Sequence, residues 1–73
     1  MNKPTTTAGA VALRSWLSDN EMSAAAFATA NKLNARSVQH WLSGAFAPRM
    51  DKAGVVERAT GGYVAVRLWT MKG

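Results

Sequence analysis

The stretch M-S-A-A-A-F-A-T-A-N-K-L-N-A-R-S-V-Q-H-W-L-S-G, Met22 to Gly44, decides the fold. Ser23 stands as an N-cap before Ala24-Ala25-Ala26-Phe27-Ala28, a run of near-maximal helix propensity. Its small side chains let a neighbouring helix approach the backbone closely, and Phe27 supplies the large apolar anchor. Asn31-Lys32-Leu33-Asn34 interrupts the pattern. Asn34 is an N-cap for a further helix from Ala35 to about Ser43, and Gly44 suits its stop. Within that helix Val38, Trp41 and Leu42 share one apolar face, whereas Arg36, Ser37, Gln39 and His40 lie toward the other. Two short helices joined by a brief turn, the second apolar inside and polar outside, have the layout of a helix-turn-helix, whose second helix enters the DNA major groove.

The flanks extend this unit. Between Ala8 and Ser18 the residues Ala10, Leu13, Trp16 and Leu17 recur three or four apart, which predicts a helix behind the N-cap Thr7. The preceding polar residues, with Pro4 among them, read as a frayed arm. Downstream, Ala45-Phe46-Ala47-Pro48 is expected to form a loop with Phe46 as an apolar plug. Pro48 is expected in the first turn of a fourth helix running to about Thr60, with Met50, Ala53, Val56 and Ala59 inward and Gly61-Gly62 ending it. Beyond it, Val64, Val66 and Leu68 alternate with Ala65, Arg67 and Trp69 as in a short strand, yet Val64, Leu68 and Met71 also fit one helical face. Trp-Leu-Ser occurs at Trp16 and again at Trp41, too little for a repeat. The expected fold is all-α: a compact bundle of four to five short helices around a central helix-turn-helix, with segment 63–71 open between strand and helix. Residues 1–7 form the arm, 8–62 the domain proper and 63–73 a C-terminal segment that is a candidate for dimerisation.

Length and charge narrow the function. A chain of 73 residues is about half the ~150 usual for one domain, so one small core is expected. At 48% hydrophobic and 18% charged it is too apolar for a disordered tail. It has no cysteine, so no disulfide or thiolate metal site supports the core, and a reducing cytosol fits. No apolar run approaches the ~20 residues of a membrane span, and Met1 to Thr7 lacks a signal peptide's apolar stretch, so a soluble, untargeted protein is expected. Nine Lys and Arg against four Asp and Glu give a net charge of +5, which points toward a polyanion. Placement sharpens this, because no acid occurs between Glu21 and Asp51 while Lys32, Arg36 and Arg49 do.

Other chemistries find little footing. The four acids, Asp19, Glu21, Asp51 and Glu57, are scattered, and there is no glycine-rich phosphate loop, so a non-enzyme without a small-molecule substrate is expected. His40 is the single histidine and cannot build a metal site alone, so neither metal nor cofactor is expected. No helix joins a Lys-rich face to a broad apolar one, which argues against a membrane partner.

Met22 to Gly44 resembles the lambda-repressor-like helix-turn-helix of small phage Cro and repressor proteins. The resemblance rests on Ser23 opening the first helix of the motif, Phe27-Ala28 in its middle, Leu33 after the turn, Val38 and Trp41-Leu42 in the second helix, and the closing Ser43-Gly44. P-R-M-D-K-A-G-V-V-E-R-A-T-G-G-Y-V, Pro48 to Val64, is similar to the proline, Ile-Glu and Ala-Thr-Gly-Gly sequence of the Cro-like and YdaS-like subgroup. Two positions depart from the family. Lys32 stands where glycine is usual, and an L-residue in a left-handed turn costs roughly 1 kcal/mol. Asn31 and Asn34 are therefore alternative occupants of the left-handed position, with helix boundaries shifted by a residue. Ala24 stands where the family often has Gln, leaving the backbone amides of that helix N-terminus for a phosphate oxygen.

Carried over by position, the resemblance implies that Asn34, Ala35, Arg36, Ser37, Gln39 and His40 face base edges. Arg36 suits guanine O6 and N7 in a bidentate pair, Gln39 suits adenine, and Ala35 offers a methyl contact to thymine, while Asn34 is divided between capping and contact. Lys32, Ser43, Arg49 and Lys52, with Ser23 and Ala24, are candidates for phosphate contacts that set register. Trp16, Phe27 and Trp41 fall at core spacing. Tyr63, Val64, Val66, Leu68 and Trp69 are candidates for a subunit interface, with a cap over the core as the equal alternative for Tyr63 and Trp69. The implied activity is a Cro-like repressor in the bacterial host cytoplasm, binding double-stranded DNA as a homodimer on a near-palindromic operator. The competing expectation is a helix-turn-helix module for protein interaction, such as an antitoxin or adaptor.

Overall fold

The computed structural model describes residues 7–72 of the chain, so most of the expected arm, Lys3 included, lies outside the described residues. Four α-helices occur in order: α1 (Ala8–Asp19), α2 (Ala24–Ala30), α3 (Ala35–Ser43) and α4 (Met50–Ala59), and then a 3-10 helix, Val66–Thr70. The fold is a small all-α bundle. Three of the four α-helices start on a side-chain cap. Thr7 Oγ1 accepts from the Ala10 amide at 3.1 Å, Ser23 Oγ from Ala26 at 3.0 Å and Asn34 Oδ1 from Ser37 at 3.2 Å. All four α-helices stop on one pattern, in which a residue with positive φ succeeds the last turn and the two amides there close back on the carbonyls of that turn. At α1 these bonds are Met22 N–H to Leu17 and Glu21 N–H to Ser18, and at α4 they are Gly62 N–H to Glu57 and Gly61 N–H to Arg58.

The core joins every element. Ala10, Leu13 and Leu17 from α1 meet Phe27 and Ala28 from α2, Val38 and Trp41 from α3, Ala53 and Val56 from α4, and Val64 and Trp69 beyond them. Trp16 meets Phe27 edge to face at a centroid distance of 5.7 Å, and Trp41 meets Trp69 at 6.3 Å. Trp16, Phe27 and Trp41 are thus packing residues, as their spacing suggested.

One open alternative is decided and three expectations are corrected. Residues 63–71 do not form a strand: the one β-pairing among the described residues is an isolated antiparallel bridge between Thr7 and Lys72, just past that segment. The 3-10 helix instead sets Val66 and Trp69 three apart, the spacing that brings side chains together on such a helix, and both pack on the core. Helix α4 begins at Met50 behind an extended Arg49 (ψ 163°), so Pro48 precedes the helix rather than opening it. Met50 is 76% exposed, and Ala53 and Val56 carry the buried face of α4. Phe46, expected as a plug, is 51% exposed and lies outside the core.

Candidate nucleic-acid interface

The turn between α2 and α3 is closed by backbone bonds. Leu33 N–H donates to the Ala28 carbonyl at 2.8 Å and Lys32 N–H to Thr29 at 3.4 Å, while Asn31 Nδ2 donates to Phe27 at 2.9 Å. This double closure needs a left-handed residue just past the helix, and Lys32 takes it with φ 57°. Asn31 (φ −113°) and Asn34 (φ −81°) do not, so the alternatives with shifted boundaries are excluded and both helices keep the limits their caps implied.

The closure fixes how α3 is presented. Val38 and Trp41 point into the core at 0% and 4% exposure. Arg36 and Gln39 are exposed on the opposite side, Ser37 and His40 are half-buried, and Ala35 is half-buried and packs against the core. Asn34 is exposed, but its side chain is occupied in capping α3. The His40 ring is partly covered by Phe46, which stacks on it at a centroid distance of 5.0 Å and 30° between planes. Ser43 Oγ donates to the His40 carbonyl at 3.0 Å, so its hydroxyl proton serves the helix end.

The flanking cations distribute over two places. Lys32 is exposed in the turn, near Ser23 and Ala24 only in the sense that all three belong to α2 and its ends. Arg49 and Lys52 open α4 and border, together with Ser37 of α3, a cleft of about 360 Å³. None of Lys32, Ser23 and Ala24 borders this cleft. The acids at the edges of the unit are Glu21, exposed before α2, and Asp51, exposed in the first turn of α4.

Two contributors went unnoticed in the sequence. Arg14 Nη2 donates to the Leu42 carbonyl at 2.7 Å, tying α1 to the end of α3 across 28 residues of chain. No local signal announces a bond of that separation. Phe46 gains its role as a shelf on His40 from the course of the loop, which hydropathy alone assigned to the core. Among the interface candidates, Val64 and Trp69 are 0% and 5% exposed within the single chain and belong to its own core. Trp69 therefore takes the alternative of a cap over the core. Tyr63 is 54% exposed, Met71 49%, and Val66 and Leu68 are half-buried.

Comparison with protein-family models, with curated proteins and with solved structures returns no match.

Proposed function

We propose that this protein is a sequence-specific DNA-binding regulator of the Cro-like kind, a phage or prophage repressor that acts in the cytoplasm by occupying an operator. The observation that carries the reading is the disposition of α3: a helix held by Val38 and Trp41, with exposed Arg36 and Gln39 on its other side. The net charge of +5 and the acid-free run from Met22 to Met50 support it, since a phosphate backbone meets little opposing charge there. Arg36 reads a guanine, Gln39 an adenine, and Lys32, Arg49 and Lys52 hold phosphates. A single recognition helix covers few base pairs, so two copies on half-sites about one helical turn apart supply useful affinity. Tyr63 and Met71, with half-buried Leu68, are the apolar residues of the C-terminal segment left to build that contact.

Selection of bound sites from a random oligonucleotide pool tests the reading, because it returns motif, symmetry and spacing together. A recovered near-palindrome supports it, and a pool that never enriches overturns it. On the selected site, Arg36→Ala is expected to lose discrimination at one position by about 1–3 kcal/mol. Equal losses on selected and random duplexes would remove Arg36 from base reading.

A second reading has one observation in its favour. Phe46 and Met50 are exposed at 51% and 76% around the loop between α3 and α4, an apolar pair that suits a protein partner better than phosphate. An interaction module of this kind gives no salt-sensitive, sequence-specific band in a gel shift.

A further inference from the structure

The cleft between α3 and α4 brings basic, hydroxyl and apolar side chains together. Trp41, 4% exposed, and the loop Phe46, Ala47, Pro48 supply its apolar lining. Ser37, Arg49 and Lys52 line it as well, and among the described residues no acid does. Two cations, a hydroxyl and an apolar wall thus converge on one space. At about 360 Å³ it falls in the lower part of the range of roughly 300–1,000 Å³ typical of small-molecule sites.

The wall is held in place without being buried. Phe46, 51% exposed, stacks on His40 at a centroid distance of 5.0 Å, which holds its ring on the surface beside the cleft. The cations are likewise uncommitted. Among the described residues Arg14 is the basic side chain that donates a hydrogen bond, to Leu42, and neither Arg49 nor Lys52 does so. The amides opening α4 have no side-chain cap, because Arg49 occupies the N-cap position and cannot accept. Asp51 lies in the same turn but does not border the cleft.

We propose that this cleft binds a small amphipathic anion, an apolar ring system bearing one carboxylate or phosphate, with the ring against Phe46, Pro48 and Trp41 and the charge between Arg49 and Lys52. A neutral apolar ligand leaves both cations unused, and a purely inorganic anion leaves the aromatic wall wet. Only a molecule with both parts uses the cations and the apolar lining together. Because Arg49 and Lys52 are also assigned to DNA phosphates, and Ser37 sits on α3, occupancy competes with duplex binding. That consequence rests on the DNA reading, whereas the binding of the anion does not.

The test uses naphthalene carboxylate and its uncharged carboxamide as probes, titrated into the full chain and monitored by amide and indole N–H chemical shifts. The expected result is saturable shifts at Ser37, Phe46, Lys52 and the Trp41 indole, with the carboxamide at least about tenfold weaker. The double variant Arg49→Gln, Lys52→Gln, checked for an unchanged thermal midpoint, is expected to lower carboxylate affinity about tenfold and leave the carboxamide unmoved. Equal affinity for the two probes, or shifts centred away from these residues, would overturn the proposal. Should the double variant fail to fold, the probe pair on the native chain still decides. A second arm measures displacement of a labelled duplex by the carboxylate at low salt. Displacement supports the competition, and simultaneous binding of both ligands refutes it. A chain that binds the carboxylate but no duplex keeps the site and loses the DNA reading.

Discussion

A Cβ on Gly9 would stand 2.4, 2.6 and 2.8 Å from three atoms of the Trp69 indole, closer than real side chains approach. The missing side chain is therefore what lets the indole lie flat on α1. Gly9→Ala is expected to destabilise the protein by about 1–3 kcal/mol, as overpacking of a tight contact does, read as a lower urea midpoint. An unchanged midpoint would show that Trp69 moves aside freely. Its buried Nε1 has no hydrogen-bond partner among the described residues, so the ring is held by packing and not by a polar anchor. Lys32 carries the opposite kind of strain. At φ 57° it occupies a conformation that glycine adopts without penalty, as does Glu21 at φ 49°. Lys32→Gly is expected to gain up to about 1 kcal/mol of stability, measured by thermal or urea denaturation. A loss would place the lysine's aliphatic stem in a packing role. The strain at Lys32 was legible in the sequence through the departure from glycine. The need for Gly9 was not, because Trp69, which forbids a side chain there, lies near the far end of the chain.

At the scale of elements, local signals located the helices and failed at the one α-helix start that no side chain caps. The starts of α1, α2 and α3 are set by Thr7, Ser23 and Asn34, each bonded to an amide three residues on. No side chain caps α4, so its start had only Pro48 to mark it, and the chain stays extended through Arg49 before the first turn forms. The other end of α4 is tied to the C-terminal segment by Thr60, 6% exposed. Its hydroxyl donates to the Val56 carbonyl at 2.9 Å and accepts from the Val64 amide at 3.1 Å, so one side chain both ends the helix and delivers Val64 to the core. Thr60→Val keeps the shape but leaves the buried Val64 N–H without an acceptor, and is expected to cost about 1–3 kcal/mol. The check is chemical denaturation combined with hydrogen exchange at Val64, whose amide protection should fall more than that of α2. Thr60→Ser, which retains the hydroxyl, should retain most of the protection.

For the whole molecule, the C-terminal segment is a wall of the bundle and not an appendage. Val64, Ala65 and Trp69 are buried, the 3-10 helix packs on α1 and α4, and the Ala8 amide donates to the Met71 carbonyl at 2.8 Å. A chain ending at Gly62 loses Val64 and Trp69 from a core of few large side chains, and is expected to lose its cooperative thermal transition in circular dichroism. A sharp transition in that truncated chain would show that α1 to α4 suffice. If duplex DNA is the partner, the charge of +5 makes affinity fall by about 0.9 log unit per log unit of salt for each phosphate neutralised. Salt titration of binding measures that number directly, and a flat profile would count against the backbone contacts of Lys32, Arg49 and Lys52. The sequence by itself determined the pair of capped helices and the turn between them, because caps, alanine propensity and the spacing of Phe27, Val38 and Trp41 act within a few residues and need no distant partner. It also determined the basic balance and the exposed side of α3. Tertiary structure alone decided that residues 66–70 coil instead of extending, that Trp69 faces inward, and that Phe46 and Met50 stay outside. For residues 66–70 and Trp69 the local pattern admitted two answers and for Phe46 and Met50 it pointed inward, because hydropathy along the chain carries no record of which core positions other elements already fill.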